Sequence, residues 1–288
     1  MKLIKPSFEI IQQQPKQIGL IKHIELCGRV CYKSEDKIKE NTANIFVNGL
    51  IKSGHTSVLE HGTVYLHIKD KAYNVIPLYE KYKENKYSKV ILSFVNEHNA
   101  ECYVTTNYRV IIEKNWVDDL KYQCKPTEFH EKRVTVKFIC DRGISHEFVR
   151  HRVFSFTQES SRYCNYSKDK FGNEITFIEP FWLKDIPVEY YTRSPESLMP
   201  SERCDSAANF LYQLEFIEET YFELIEKGWK PEQARNILPN SLKTELMMTG
   251  FVTDWKHFFE LRTDKAAHPQ SQELAIPLQQ QFKKLNLI

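Results

Sequence analysis

The sequence predicts an α+β fold, a single elaborated domain over residues 1–288 with an antiparallel sheet packed against long helices. Three observations point there. Apolar residues alternate at Val64, Leu66 and Ile68, at Val90 to Phe94, and at Val134, Val136, Phe138 and Cys140, the period of a half-buried strand. Stripes at helical spacing also recur, the longest running from Phe210, Leu211 and Leu214 to Tyr221, Leu224 and Ile225. The length, 288 residues, suits one large or two small domains with a sizeable core.

Composition narrows the function classes. Forty basic and 38 acidic residues leave a net charge of +2, which argues against a bulk nucleic-acid or membrane-surface protein. No apolar run approaches a bilayer span. Met1 to Gln14 lacks the apolar core and cleavage site of a secretory signal. Seven cysteines without a tight framework predict reduced thiols and a cytoplasmic location.

Taken in order, Ile21, Ile24 and Cys27 to Cys31 predict a first helix over about 18–31. Cys27 and Cys31 share a face, but no second ligand pair accompanies them, so no metal site is expected. Ile45, Phe46, Leu50 and Ile51 predict a second helix, stopped by Gly54. Gly54-His55-Thr56-Ser57-Val58-Leu59-Glu60-His61 packs two histidines, hydroxyls and a carboxylate before the strand at Val64. Residues of about 70–132 read as an elaboration: a Lys- and Tyr-rich helical or irregular arm, then strands at 90–94 and 103–113 joined by the polar turn Asn96-Glu97-His98-Asn99. After the strand at 134–140, Asp141-Arg142-Gly143 turns the chain, Ser145 is the expected N-cap, and a short helix from His146 delivers Arg150, His151 and Arg152. Residues 165–193 read as irregular. Ser206 is the expected cap of the long helix, and Gly228 its stop. Pro231 opens and Pro239 closes a further helix carrying Arg235. Trp255, Phe258 and Phe259 share one face of a last helix, capped by Thr253 or Asp254, with Arg262 at its C-terminal end, where a cation is favoured.

The densest chemistry lies in Arg150-His151-Arg152-Val153-Phe154-Ser155-Phe156-Thr157-Gln158-Glu159-Ser160-Ser161-Arg162-Tyr163. Three arginines can donate paired hydrogen bonds to oxygen-rich anions, and Ser160-Ser161 adds donors suited to a phosphate. A solvated basic face is the bland alternative. An RNA-binding module using these arginines with Phe154 and Phe156 is a second class, weakened by the near-neutral charge. A metal hydrolase using His55, His61, His146 and His151 is a third, lacking any recognised ligand spacing.

Arg150-His151-Arg152, seven residues, then Ser160 resembles the signature of the flavin-dependent thymidylate synthases. The 54–61 segment resembles that family's Gly-His-x-x-(x)-Glu-His. Residues 234–270, with Arg235 before Leu238-Pro239 and Phe258-Phe259-Glu260-Leu261-Arg262, resemble its C-terminal pattern. The three blocks match in the right order. Departures stand at Glu147, where relatives often carry Gln, at Gln158, where some carry Glu, and at Phe251 and Thr253, where they often place Asn and Arg.

The resemblance implies reductive methylation of dUMP to dTMP, with FAD as cofactor, 5,10-methylenetetrahydrofolate as carbon donor and NADPH as reductant. It implies FAD contacts from His55, Ser57, Arg150, His151, Arg152, Gln158, Thr253, His257 and His268. It implies dUMP contacts from Glu147, Arg150, Ser160, Ser161, Arg162, Arg235 and Arg262, with Arg262 activating the uracil. It further implies a homotetramer with sites between subunits, and neither a metal, a nucleic acid nor a membrane as partner. Flavin-free thymidylate synthases use a Pro-Cys-His nucleophile; no cysteine here follows Pro or precedes His, so no cysteine nucleophile is expected. There is no Gly-x-Gly-x-x-Gly, so FAD is not expected on a Rossmann turn.

Overall fold

The computed structural model describes residues 1–183 and 206–288; the Ser206 side chain and the end of the 165–193 stretch lie outside the described residues. The strands are β1 (Lys2–Ile4), β2 (Ser7–Ile11), β3 (Thr63–Lys71), β4 (Lys89–Phe94), β5 (Asn99–Asn107), β6 (Arg133–Asp141), β7 (Ser155–Gln158), β8 (Thr176–Ile178) and β9 (Lys243–Phe251). The helices are α1 (Lys16–Arg29), α2 (Thr42–Lys52), α3 (Ala72–Lys83), α4 (Tyr108–Glu113), α5 (Arg142–Phe148), α6 (Ser206–Glu226), α7 (Pro231–Ala234), α8 (Val252–Arg262) and α9 (Pro269–Lys284). A four-stranded sheet runs β2-β6-β9-β7 and a three-stranded one β3-β5-β4, with all pairs antiparallel; β1 and β8 pair in parallel. No helix among the described residues is long and apolar enough to cross a membrane.

The α+β reading holds, with local corrections. The strand expected at 103–113 is β5 to Asn107 and then α4, whose N-cap Asn107 accepts from the Val110 amide. The arm at 72–83 is helical. Asp141, not Ser145, caps α5: its carboxylate accepts from the Ile144 amide at 2.8 Å, and the helix starts four residues earlier than expected. Ser145 lies inside α5 and donates to the Arg142 carbonyl. The N-cap of α8 is Phe251, and Asp254 reaches back to its amide at 3.1 Å. Gly228 stops α6 in the left-handed region, φ +90°.

The four-stranded sheet has two unlike faces. Val134, Val136 and Phe138 of β6 pack on Trp255, Phe258 and Phe259 of α8 and on Phe282 of α9. The Trp255 indole donates to the Val134 carbonyl, so its one polar atom is satisfied in the core. Phe154 lies on the backbone of β9 at Gly250, where a Cβ would come within 2.4 Å of its ring. That contact anchors the chain just after Arg152.

The opposite face is polar and buried. His23 Nε2 meets Thr135 Oγ1 at 2.9 Å, Thr135 meets Thr249 at 2.7 Å, Thr249 meets His61 Nδ1 at 2.7 Å, and His61 Nε2 meets Thr157 at 3.0 Å. A neutral ring carries one N–H, so His61 donates from one ring nitrogen and accepts at the other, and the threonine hydroxyls, each able to donate once and accept twice, complete the series. Burial, with help from Arg133, lowers the His23 pKa to about 4; burial, then His23 and Arg133, lowers His61 to about 3. Both rings are therefore neutral in the fold. The unfolded chain binds protons at about 6.5 that the fold refuses. Stability is fully present above pH 6.5 and should fall between 6.5 and about 4, by on the order of 1.4 kcal/mol per pH unit for each histidine. Urea unfolding at pH 7.5, 6.5 and 5.5 measures this. Equal stability at pH 7 and 5 would contradict it.

Candidate active site

Two buried anchors, Phe148 and Phe154, bracket Arg150-His151-Arg152 as the chain leaves α5 and enters β7. Arg150 and Arg152 therefore turn out to solvent, and among the described residues no carboxylate pairs with either. His151 turns in. Its ring lies 5.0 Å from that of Phe258 and is only 8 % exposed. Burial, then the charge of Arg262, lowers its pKa to about 4, so the ring is neutral and can accept.

Arg262, the last residue of α8, reaches that ring. Its Nε donates to His151 Nε2 at 3.0 Å, Nη1 to the Glu147 carboxylate at 2.7 Å, and Nη2 to the Glu147 carbonyl at 2.8 Å. The carbonyl belongs to the last turn of α5, where helical carbonyls lack intrahelical partners. One guanidinium thus meets the negative ends of two helix dipoles. Burial lowers the Arg262 pKa against the raising effect of Glu147.

A cleft of about 410 Å³ shares Glu147 with this group and is walled also by Arg150, His146, Asn240, His268 and Gln270, with neither Arg262 nor His151 in its lining. That size lies within the range of small-molecule sites, roughly 300–1,000 Å³. His268 caps α9, its Nδ1 accepting from the Gln270 amide at 3.3 Å. His257 is exposed, 6.3 Å ring to ring from His151, and pairs with Glu260.

The other expected residues lie elsewhere. Arg162 is exposed on the ring of Tyr163 and pairs with Glu232 at 3.3 Å. Glu232 belongs to α7, whose C-cap is the exposed Arg235, so the two arginines flank one short helix. The Ser160 amide donates to the Cys31 carbonyl, and Ser161 is buried. Gln158 faces inward and donates to Ser145 and Thr244, bracing β7 against α5 and β9. His55, the N-cap of the 3₁₀ turn Thr56–His61, and Ser57 within it are exposed, and Thr253 is exposed on α8. Within one chain, Glu147, Arg150, His151, His257, Arg262 and His268 gather, while Ser160, Ser161, Arg162 and Arg235 form a second group. No hydrogen bond or ion pair among the described residues joins the two.

Sequence reading missed a buried ionic cluster behind the Ser160 stretch. The Glu245 carboxylate takes Lys33 and Lys243 at 2.7 Å and Lys137 at 2.6 Å, and Lys243 also takes Glu159 at 2.8 Å. Glu245 lies within β9 and Glu159 just after β7, both buried charges in plain view in the sequence. A larger groove of about 600 Å³, edged by Lys16, Lys125 and Lys132 and floored by Ile10 and Val134, contains none of the expected site residues. Among the described residues no three His, Cys, Asp or Glu side chains are placed to hold a metal ion.

The family model of "Thymidylate synthase complementing protein" matches residues 19–107 and 88–286. The "Flavin-dependent thymidylate synthase" of Pyrococcus furiosus is 30% identical over 145 residues, 50% of this chain and 52% of that protein. The one from Corynebacterium aurimucosum is 23% identical over 261 residues, 88% of this chain and 72% of that protein. The chain spans about half the length of the archaeal relatives it matches. A solved structure of the UMP/dUMP methylase PolB from Streptomyces cacaoi, bound with 5-Br dUMP, overlaps 99% of this chain and 93% of that one at 17% identity and a TM-score of 0.45. With the family model matched over nearly its whole length, the chain belongs to the thymidylate synthase complementing protein family, that of the flavin-dependent thymidylate synthases.

Proposed function

We propose that this chain converts dUMP to dTMP by reductive methylation, with FAD bound, 5,10-methylenetetrahydrofolate as carbon donor and NADPH as reductant, giving tetrahydrofolate. The observation that carries the reading is Arg262, fixed by a neutral histidine and a helix end beside a nucleotide-sized cleft. The surroundings fit an anionic dinucleotide: Arg150 and Arg152 are exposed cations without carboxylate partners among the described residues, and His55, Ser57 and His257 are exposed polar groups. Those groups lie on open surface, which suits a site completed by further subunits of a homotetramer. We also read the chain as cytoplasmic, and residues of about 70–132 as an elaboration without chemistry.

In this reading Arg162, Arg235, Ser160 and Ser161 hold the nucleotide phosphate. Arg262 faces the O2–N3 edge of the uracil and stabilises the negative charge that builds there as C5 becomes nucleophilic. Five N–H groups project from a guanidinium, and three are used within the chain, so two remain for the ring. His151 stays neutral and holds the arginine by its Nε. Bound FAD would supply the reducing equivalents that complete the methyl group.

The cysteines fit a route without a thiol nucleophile. Burial raises the thiol pKa of Cys102 and Cys164 to about 12, and also raises Cys27, Cys31, Cys124 and Cys140. Cys204 lies outside the described residues. NADPH oxidation by the FAD-loaded protein should accelerate when dUMP is added, and Ala at each of the seven cysteines should leave turnover intact. A stable, flavin-loaded Cys→Ala protein without turnover would overturn the mechanism.

A further inference from the structure

We propose that Glu147 is a positioning residue that fixes the Arg262 guanidinium toward the substrate ring, and is not itself a ligand of the nucleotide. The inference rests on the function proposed above and refines it, since the resemblance places Glu147 among the dUMP contacts.

The geometry is a chelate. One residue supplies two acceptors to one guanidinium, its carboxylate to Nη1 at 2.7 Å and its carbonyl to Nη2 at 2.8 Å. His151 Nε2 takes the Nε proton at 3.0 Å and closes the third side. One N–H on each terminal nitrogen is left, and the directions in which they point are set by Glu147. A free arginine carries roughly 2 kcal/mol of side-chain entropy, much of which binding would have to remove. Here it is already removed.

The holders are rigid. α5 is pinned by the buried Ile144 and Phe148, and α8 by Trp255, Phe258 and Phe259. The guanidinium is thus referenced to both helices, which suits a group that must meet a reacting ring accurately. A direct contact from the Glu147 carboxylate to the nucleotide would instead set a carboxylate against a substrate that gains negative charge. Compensated by Arg262, the same carboxylate is tolerable beside the ring.

Steady-state kinetics of Glu147→Ala, Glu147→Gln, Arg262→Ala and the Glu147→Ala/Arg262→Ala double variant test this, with flavin content checked. Loss of orientation should lower kcat of Glu147→Ala about 10- to 100-fold, with KM for dUMP changed less than about threefold. Glu147→Gln should recover to within about fivefold of wild type, because its amide oxygen still accepts from Nη1. In the Arg262→Ala background, Glu147→Ala should add less than about a twofold further loss, since there is no guanidinium left to place. A KM that rises while kcat holds would make Glu147 a substrate ligand, and fully additive losses would make it independent of Arg262; either overturns the positioning role alone. A wild-type protein that does not turn over dUMP overturns the functional reading, and the positioning role with it.

Discussion

Arg262→Ala is expected to lower kcat for dTMP formation by about two to three powers of ten, the loss typical of one oxyanion donor. The same change removes three hydrogen bonds made by the end of α8, two to Glu147 of α5, one of these to its partly exposed carboxylate, and one to His151 beyond α5. It should therefore also destabilise the fold by about 1–2 kcal/mol. Rates should be compared well below the melting temperature. Arg162→Ala should behave differently. Its partner Glu232 is exposed, and such pairs contribute about 0–1 kcal/mol, so the fold should be unaffected. The phosphate keeps its charge through the reaction, so KM for dUMP should rise more than kcat falls. Lysine should rescue position 162 in part and position 262 poorly, because a phosphate accepts a point charge and the ring edge needs a planar fork. A normal kcat in Arg262→Ala would leave that residue a helix cap and nothing more.

Glu245→Ala should be the most destabilising polar substitution in the sheet, by up to about 3–5 kcal/mol, because it removes the shared partner of the half-buried Lys33, Lys137 and Lys243, leaving, among the described residues, Lys33 only Glu35 and Lys243 only Glu159. Typical domains have only about 5–15 kcal/mol to lose. Glu245→Gln should rescue little, since the missing quantity is charge. Burial pushes the Glu245 carboxyl up, but Lys243, with hydrogen bonds from Lys137, Lys243 and Lys33, outweighs it and holds the group far below the ordinary carboxylate range. With the folded pKa depressed, its contribution is present above about pH 4.5 and is lost as pH falls below that. The histidine loss begins higher, near 6.5, so the two should separate in a pH series of urea unfolding curves. A cost under about 1 kcal/mol for Glu245→Ala would show that the cluster is well solvated.

What was legible in the sequence divides by physical cause. β3, β4 and β6 alternate because one side of each meets a continuous apolar core, and α2 and α8 show their apolar faces plainly. β9 did not show, although it pairs with both β6 and β7. It is buried on both faces, and it carries Thr244, Glu245 and Thr249 inward to ionic and hydrogen-bonded partners, which breaks any alternation. α9 was hidden by Pro277 and a glutamine-rich surface. Ser145 attracted the cap assignment because it precedes the helical run, yet Asp141 had the better geometry one turn earlier. In the candidate site, the Arg-His-Arg spacing pointed to Arg150 and His151, which the fold sets with Glu147 and Arg262, while Arg152 stands apart on the surface. The bond from Arg262 to His151 spans 111 positions in sequence, so no local pattern could announce it. The inward turn of Gln158 was equally invisible, because its partner Thr244 lies on the unrecognised strand.

The most direct test of the central claim is product formation by the purified protein. Incubated with FAD, NADPH, methylenetetrahydrofolate and dUMP, it should show bound-flavin absorbance and yield dTMP and tetrahydrofolate together. A colourless protein that makes no dTMP after FAD is added back would contradict the account.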